Sequence, residues 1–211
     1  MEKRNYKEIN KENRAWFADC YPNKFFSSYV QVVFNDELSG FGYFDFKRGK
    51  KIDNLPKEAI FKVNKVKKAT KEFILSWDLL PNSTSIMLAN EKALKVLHEV
   101  AEGEFQEIPA KIYLQDGELI EGYKYINIIQ RKEVLNKEKS IVNPNVKEGA
   151  WNMYKTCYYD KDCLGESNLV RPDNSIGNLL VSEKFKQACE REKLKGIEFL
   201  DSYIDKHFIL D

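Results

Sequence analysis

At 211 residues, with 43% hydrophobic and 13% aromatic content, the chain is long enough for one ample core or two small lobes and has an ordinary globular composition. Its 34 basic and 33 acidic residues nearly cancel, and a net charge of +1 argues against a dedicated nucleic-acid binder, which carries a basic excess. No apolar run approaches the roughly 18–20 residues of a membrane span, the charged start MEKRNYKEINKENR lacks the apolar core of a secretory signal, and four cysteines are too sparse for a disulfide framework, so the expected compartment is a reducing cytoplasm.

Residues 1–14 are mostly charged and read as a frayed helix or a disordered lead. Trp16 and Phe17 open an aromatic stretch that runs through Phe25, Phe26 and Tyr29. Tyr29 to Phe34 is β-branched and aromatic and predicts a strand. Asn35-Asp36 and Ser39-Gly40 bracket a turn, and the alternation from Gly42 to Phe46 predicts a second strand. Ala59 to Val63 and Glu72 to Leu75 are further strand candidates. Ile86-Met87-Leu88 reads as a buried strand, and Asn90 as a helix N-cap whose side chain accepts from free backbone N–H groups. Ala93, Leu94, Val96, Leu97, Val100 and Ala101 then fall at helical spacing, with Gly103 as the stop. Phe105 to Leu114 and Tyr123 to Gln130 predict two long strands joined through Gln115-Asp116-Gly117, a hairpin signal. Residues 136–150 form a polar connection, Trp151 to Cys157 a strand, and Leu169 to Pro172 an extended segment. Leu179 to Val181 predicts a strand, Ser182 an N-cap, and Phe185, Ala188 and Cys189 the inward face of a helix that Gly196 stops. The strand Ile197 to Tyr203 follows.

Met87 to Pro109 and Leu179 to Asp201 align without a gap, 92 residues apart. Each reads as an apolar triplet, a small polar cap, Glu-Lys, a helix and a short strand. The expected fold is α+β: a mixed, mainly antiparallel sheet with two repeated strand–helix–strand units packing their helices on one face. The expected organisation is an aromatic and basic β-rich region over 1–75 and an α+β domain over 76–211 containing the repeat, or one continuous globule.

The second copy carries a resemblance. Leu180-Val181-Ser182-Glu183-Lys184-Phe185, followed by Leu194-Lys195-Gly196-Ile197-Glu198-Phe199, resembles the C-terminal signature of the eleventh family of polymorphic-toxin immunity proteins, in which a strand, "VSE", a helix and a "GI-F" strand close the domain. Asn127-Ile128-Ile129 running into Asn136-Lys137-Glu138-Lys139-Ser140 is similar to the family's central strand and "D-x-x-K-S" step, with Asn136 where Asp is common. Leu169-Val170-Arg171 is similar to its extended segment before the last unit. The resemblance covers roughly 75–205 and implies a cytoplasmic, non-enzymatic protein that binds and neutralises a cognate toxin. It implies no particular contact residues.

The residues themselves assemble no chemistry. Cys157-x5-Cys163 lacks zinc spacing and His98 and His207 are far apart, so no metal is expected. A Cys–His nucleophile has no local signature, no phosphate-binding glycine loop is present, and no carboxylate pair stands out. No cofactor is expected.

Charge is unevenly distributed. Glu99, Glu102, Glu104, Glu107, Asp116, Glu118 and Glu121 face one base, Lys111, across their stretch, and would steer and dock a basic toxin unless they are merely a solvated face. Trp151, Tyr154, Tyr158 and Tyr159 are either interface anchors or sheet residues. Lys65, Lys67, Lys68 and Lys71 beside Phe61 and Phe73 would allow a phosphate-plus-stacking site, although nucleic acid is disfavoured overall. The expected partner contacts are thus the seven acidic residues with Trp151, Tyr154 and Tyr158. The alternatives to a toxin-neutralising binder are an enzyme with a cleft between the two repeat lobes, or an interaction module that oligomerises through a sheet edge.

Overall fold

A computed structural model describes residues 14–20, 31–64, 69–147, 153–203 and 207–210. In chain order the elements are β1 (Ala15–Asp19), β2 (Gln31–Phe34), the short helices α1 (Asp36–Ser39) and α2 (Phe44–Lys47), β3 (Ala59–Asn64), α3 (Lys71–Leu75), β4 (Leu88–Ala89), α4 (Glu91–Ala101), β5 (Phe105–Tyr113), β6 (Leu119–Ile128), β7 (Arg131–Lys132), β8 (Ile141–Val142), β9 (Tyr154–Asp160), β10 (Leu169–Pro172), β11 (Leu180–Ser182), α5 (Glu183–Arg191), β12 (Glu198–Leu200), β13 (Ser202–Tyr203) and β14 (His207–Leu210). Among the described residues no helix is long and apolar enough to cross a membrane.

The strands form three sheets, ordered β12-β1-β11-β10-β7, β13-β14-β9-β8 and β2-β3-β5-β6-β4, where the sequence predicts one. Most ladders are antiparallel, and β3–β5, β7–β10 and β9–β14 are parallel. The chain is α+β with mixed, mainly antiparallel sheets. Strand pairing crosses the expected boundary at residue 75, because β1 pairs with β11 and β12, and β3 with β5.

Local chemistry accounts for most of the elements. Asn90 accepts from the Ala93 N–H at 3.0 Å and Ser182 from the Phe185 N–H at 3.1 Å, so both expected caps open their helices. The β5–β6 hairpin turns at Gly117, whose φ of 89° suits glycine. Two expected strands are instead helical turns. Over Gly42 to Phe46, alternation requires Phe44 and Phe46 to share a face, yet Phe44 is 55% exposed and Phe46 fully buried against Tyr125. Over Glu72 to Leu75, Thr70 accepts from the Phe73 N–H at 3.2 Å, a cap that starts α3 in place of a strand.

The sheet β2-β3-β5-β6-β4 buries an aromatic core in which Phe34, Phe46 and Phe61 surround Tyr125 at 5.3–5.7 Å. A second core takes Val96, Leu97 and Val100 of α4 together with Phe185, Ala188 and Cys189 of α5. Each helix covers its own sheet, α4 on β4 and β6 and α5 on β1 and β11, and the two helices meet. Strand β1 is buried on both faces: Trp16 and Ala18 turn to the helical core, Ala15 and Phe17 to a third core with Tyr159 and Leu180. In the first strand–helix–strand unit β4 and β5 flank β6; in the second β11 and β12 flank β1.

Two polar clamps hold the helices side by side with opposite polarity. At one end the Asn168 amide donates to the Val100 carbonyl of α4 at 2.7 Å, and its oxygen accepts from the Ser182 hydroxyl that caps α5 at 2.8 Å. At the other, Asp78 accepts from the Asn90 amide at 3.1 Å and from the Lys195 N–H at 2.9 Å. The N–H groups of Asp78 and Leu79 both donate to the Lys195 carbonyl. Gly196 allows this approach: its φ is 102°, and a Cβ there would lie 1.7 Å from the Leu79 carbonyl oxygen. The helix itself ends earlier, at Arg191, and Lys193 takes the left-handed conformation at φ 53°. Gly103, by contrast, has positive φ but open space around it. Gly196→Ala is expected to lower unfolding free energy by about 4 kcal/mol, a backbone clash added to strain, and Gly103→Ala by about 1 kcal/mol, strain alone. Urea denaturation of the two variants measures the difference, and equal losses would refute the close-approach account.

Candidate functional site

Five of the seven expected acidic contacts are engaged by side chains or backbone of the chain itself. Glu99 forms a two-pronged pair with Arg191 at 2.8–2.9 Å. Glu118 pairs with Lys71 at 2.7 Å. Glu102 lies 2.7 Å from Nδ1 of His98, while Glu107 stands 3.6 Å from its Nε2, too far for a hydrogen bond. Glu104 accepts from the N–H groups of Asn168 and Leu169 at 2.7–2.9 Å and so supports the Asn168 clamp. Asp116 accepts from the Glu118 N–H and shapes the hairpin turn. Glu121 is exposed, with no ion pair among the described residues. Of the aromatic candidates, Tyr158 stacks on Phe208 at 5.6 Å, and Tyr154 faces a surface groove. Trp151 and the basic Lys65, Lys67 and Lys68 lie outside the described residues.

Burial suppresses the nucleophiles. It pushes the thiols of Cys20, Cys163 and Cys189 up to about 12, and raises that of Cys157 as well. Since the thiolate is the reactive form, these cysteines behave as small apolar groups. The buried phenols of Tyr123, Tyr125 and Tyr159 are likewise raised by burial. Among the described residues no group of three or more His, Cys, Asp or Glu is placed to hold a metal ion.

Two open grooves mark the surface. The first, of about 590 Å³, runs between α4 and β6 and carries Glu91, Glu99, Glu121 and Glu192 with Lys92 and Lys95. Half of these charges are paired, Glu99 and Glu192 with Arg191 and Lys92 with Asp78. The second, of about 510 Å³, is bordered by Arg48 after α2, Arg131 of β7, Tyr154 of β9 and Ile176 after β10. Its acids are Glu133, paired with Lys137, and Asp173.

Next to Arg131 of the second groove, across the β7–β10 ladder, lies a feature that the sequence hid. Arg171, read there as part of an extended segment, is 1% exposed. Its Nη1 donates to the carbonyls of Gly177 and Asn178 at 2.9 and 3.2 Å, and its buried Nε has no hydrogen-bond partner. No carboxylate pairs with it among the described residues, and burial pulls its guanidinium down to about 10. Lys47 lies beside it across Gly177, lowered first by burial and then by the Arg171 charge. Arg131 sits opposite Arg171 in the parallel β7–β10 ladder. No sequence signal marks this cluster, since its members are separated by up to 124 residues and only the fold joins them.

The model of the Immunity protein family (Imm11) matches residues 18–203, so the chain belongs to that family. The matched span includes both strand–helix–strand units and both grooves. Comparison with curated proteins gives no match.

Two outcomes test the roles drawn from this geometry. Glu104→Ala strands two backbone N–H groups and is expected to cost about 2–3 kcal/mol, whereas Glu102→Ala, at an exposed pair, stays within about 0.5 kcal/mol; chemical denaturation compares them. At pH 8 the thiols of the native protein should react with a disulfide reagent far more slowly than those of the protein in 6 M guanidinium, roughly a hundredfold or more from the suppressed thiolate. One thiol reacting at the unfolded rate would restore a cysteine nucleophile to consideration.

Proposed function

We propose that this protein binds a cognate toxin of a polymorphic-toxin system and neutralises it without catalysis, acting in the cytoplasm. The observation that carries the reading is the family match over residues 18–203. Suppressed thiols agree with a non-catalytic role, because they leave no cysteine among the described residues activated as a nucleophile.

The duplicated strand–helix–strand frame serves as scaffold in this reading. Its two units share a helical core and present their loops and outer strands to a partner. Of the expected contacts, Tyr154 and Glu121 are the ones with side chains free for a partner. Glu104 satisfies backbone donors, and reversing it would disturb the fold before it disturbed binding, while Glu99 and Glu118 are already neutralised by Arg191 and Lys71. A polymorphic toxin delivered to or made in the same cell needs an inhibitor present in excess, and a stable, non-catalytic binder meets that need by mass action.

The test is genetic and direct. Co-expression with the toxin encoded beside this gene should restore growth to a susceptible host, and light scattering should detect a complex between the two purified proteins. A host that dies despite full expression of the folded protein would reject the reading.

A further inference from the structure

Two cations that line the second groove, Arg48 and Arg131, have no carboxylate partner among the described residues, although Arg131 donates to the Asp173 carbonyl at 3.1 Å. Arg171 lies opposite Arg131 in the β7–β10 ladder and Lys47 stands beside Gly177, and neither forms an ion pair among the described residues. A buried cation without a carboxylate is costly, and a like charge beside it adds to the cost. Carbonyl oxygens of Gly177 and Asn178 offset only part of this at Arg171, whose Nε stays unpaired. The groove has apolar lining as well: Ile176 is 46% exposed, and Met153, Tyr154 and Leu135 line it beside the cations. Arginine, tyrosine and methionine around a concave patch are what protein–protein interfaces enrich.

We propose that this groove docks the toxin through an acidic surface, with one or more of the toxin's carboxylates seated between Arg48 and Arg131 and an apolar side chain against Ile176 and Tyr154. This rests on the toxin-neutralising reading above and names the surface and the partner's chemistry. Charge complementarity selects the occupant. Arg48, Arg131 and Lys137 line the groove against Glu133 and Asp173, so its lining is positive by one charge, and Glu133 is already held by Lys137. A phosphate backbone, which spreads charge along its length, would meet those two carboxylates, whereas a protein loop carrying one or two acids avoids them. The near-neutral net charge of +1 likewise lacks the basic excess of a nucleic-acid binder. The first groove is the poorer site for an acidic partner, because Glu99, Glu192 and Lys92 already have partners and of its remaining charges, Glu91, Glu121 and Lys95, two are acidic.

The probe is the toxin domain encoded beside this gene, inactivated in its own active site and titrated against the full chain by calorimetry at several salt concentrations. Arg48 and Arg131 are both exposed, so Arg48→Glu/Arg131→Glu should keep the thermal transition of the native protein. The double variant should bind at least about 30-fold more weakly, with a flatter salt dependence. Ile176→Asp should weaken binding by about tenfold or more. Lys95→Ala, in the first groove, should bind within about threefold of the native protein. Native-like binding by a folded Arg48→Glu/Arg131→Glu protein overturns the docking surface and leaves the neutralising reading standing. Absence of toxin binding by the native protein overturns both. Retention of a duplex oligonucleotide at low salt, lost in the double variant while toxin binding is unchanged, would reassign the groove to nucleic acid and overturn the proposal.

Discussion

The contact of Gly196 with the Leu79 carbonyl sets the distance between the halves of this molecule. Because no side chain intervenes, the N–H groups of Asp78 and Leu79 reach the Lys195 carbonyl, and the Asp78 carboxylate spans from Asn90 to the Lys195 N–H. At the opposite end Asn168, held by Glu104, joins Val100 to Ser182. With both ends fixed, α4 and α5 share one apolar core, and the two sheets they cover cannot slide past each other. That fixed relation extends outward. Arg171 of β10 donates its backbone N–H to the Gln130 carbonyl just beyond β6, and α2 is anchored on β6 by Phe46 against Tyr125. The groove between Arg48 and Arg131 is therefore shaped by contacts made far from it.

Acidic and basic groups are used differently by this fold. Carboxylates that look like a free surface in the sequence tie elements together: Glu99 reaches Arg191, Glu118 reaches Lys71 and Glu104 caps a pair of backbone donors. Exposed pairs of this kind contribute little stability, yet they cancel the local potential that would attract a basic partner. The cations around Arg171 have no such internal counterparts. A net charge of +1 thus conceals a surface on which the unmatched sign is positive at the second groove.

What the sequence revealed follows the range of the interactions concerned. Caps at Asn90 and Ser182, the helical stripe from Ala93 to Ala101 and the turn at Asp116-Gly117 depend on residues within a few positions, and each was legible. Strand β1 was not, because burial on both faces removes the polar alternation that marks a half-exposed strand. Gly42 to Phe46 misled because five residues fit one helical turn as readily as a strand. Glu104 appeared to be one acid among seven, since the backbone donors it satisfies lie 64 and 65 residues further on. Arg171 beside Pro172 gave only the signal of an extended segment. Its burial comes from β7, from Gly49 and from the 177–178 turn, whose closeness is a property of the fold.

An uncompensated buried cation has to be reconciled with a protein that folds at all. Arg171 can be tolerated because its stem packs against Gly49, where a Cβ would sit only 3.1 Å away, and because two carbonyls take part of its charge. The remaining penalty is carried by the free protein. An acidic group brought to the groove mouth lowers it, since attraction between opposite charges strengthens as water is excluded. A partner that binds only the folded state then stabilises that state in proportion to its affinity. The same buried charge consequently weakens the free protein and would favour an acidic partner at the groove, since no carboxylate pairs with Arg171 or Lys47 among the described residues and Glu133 is already held by Lys137.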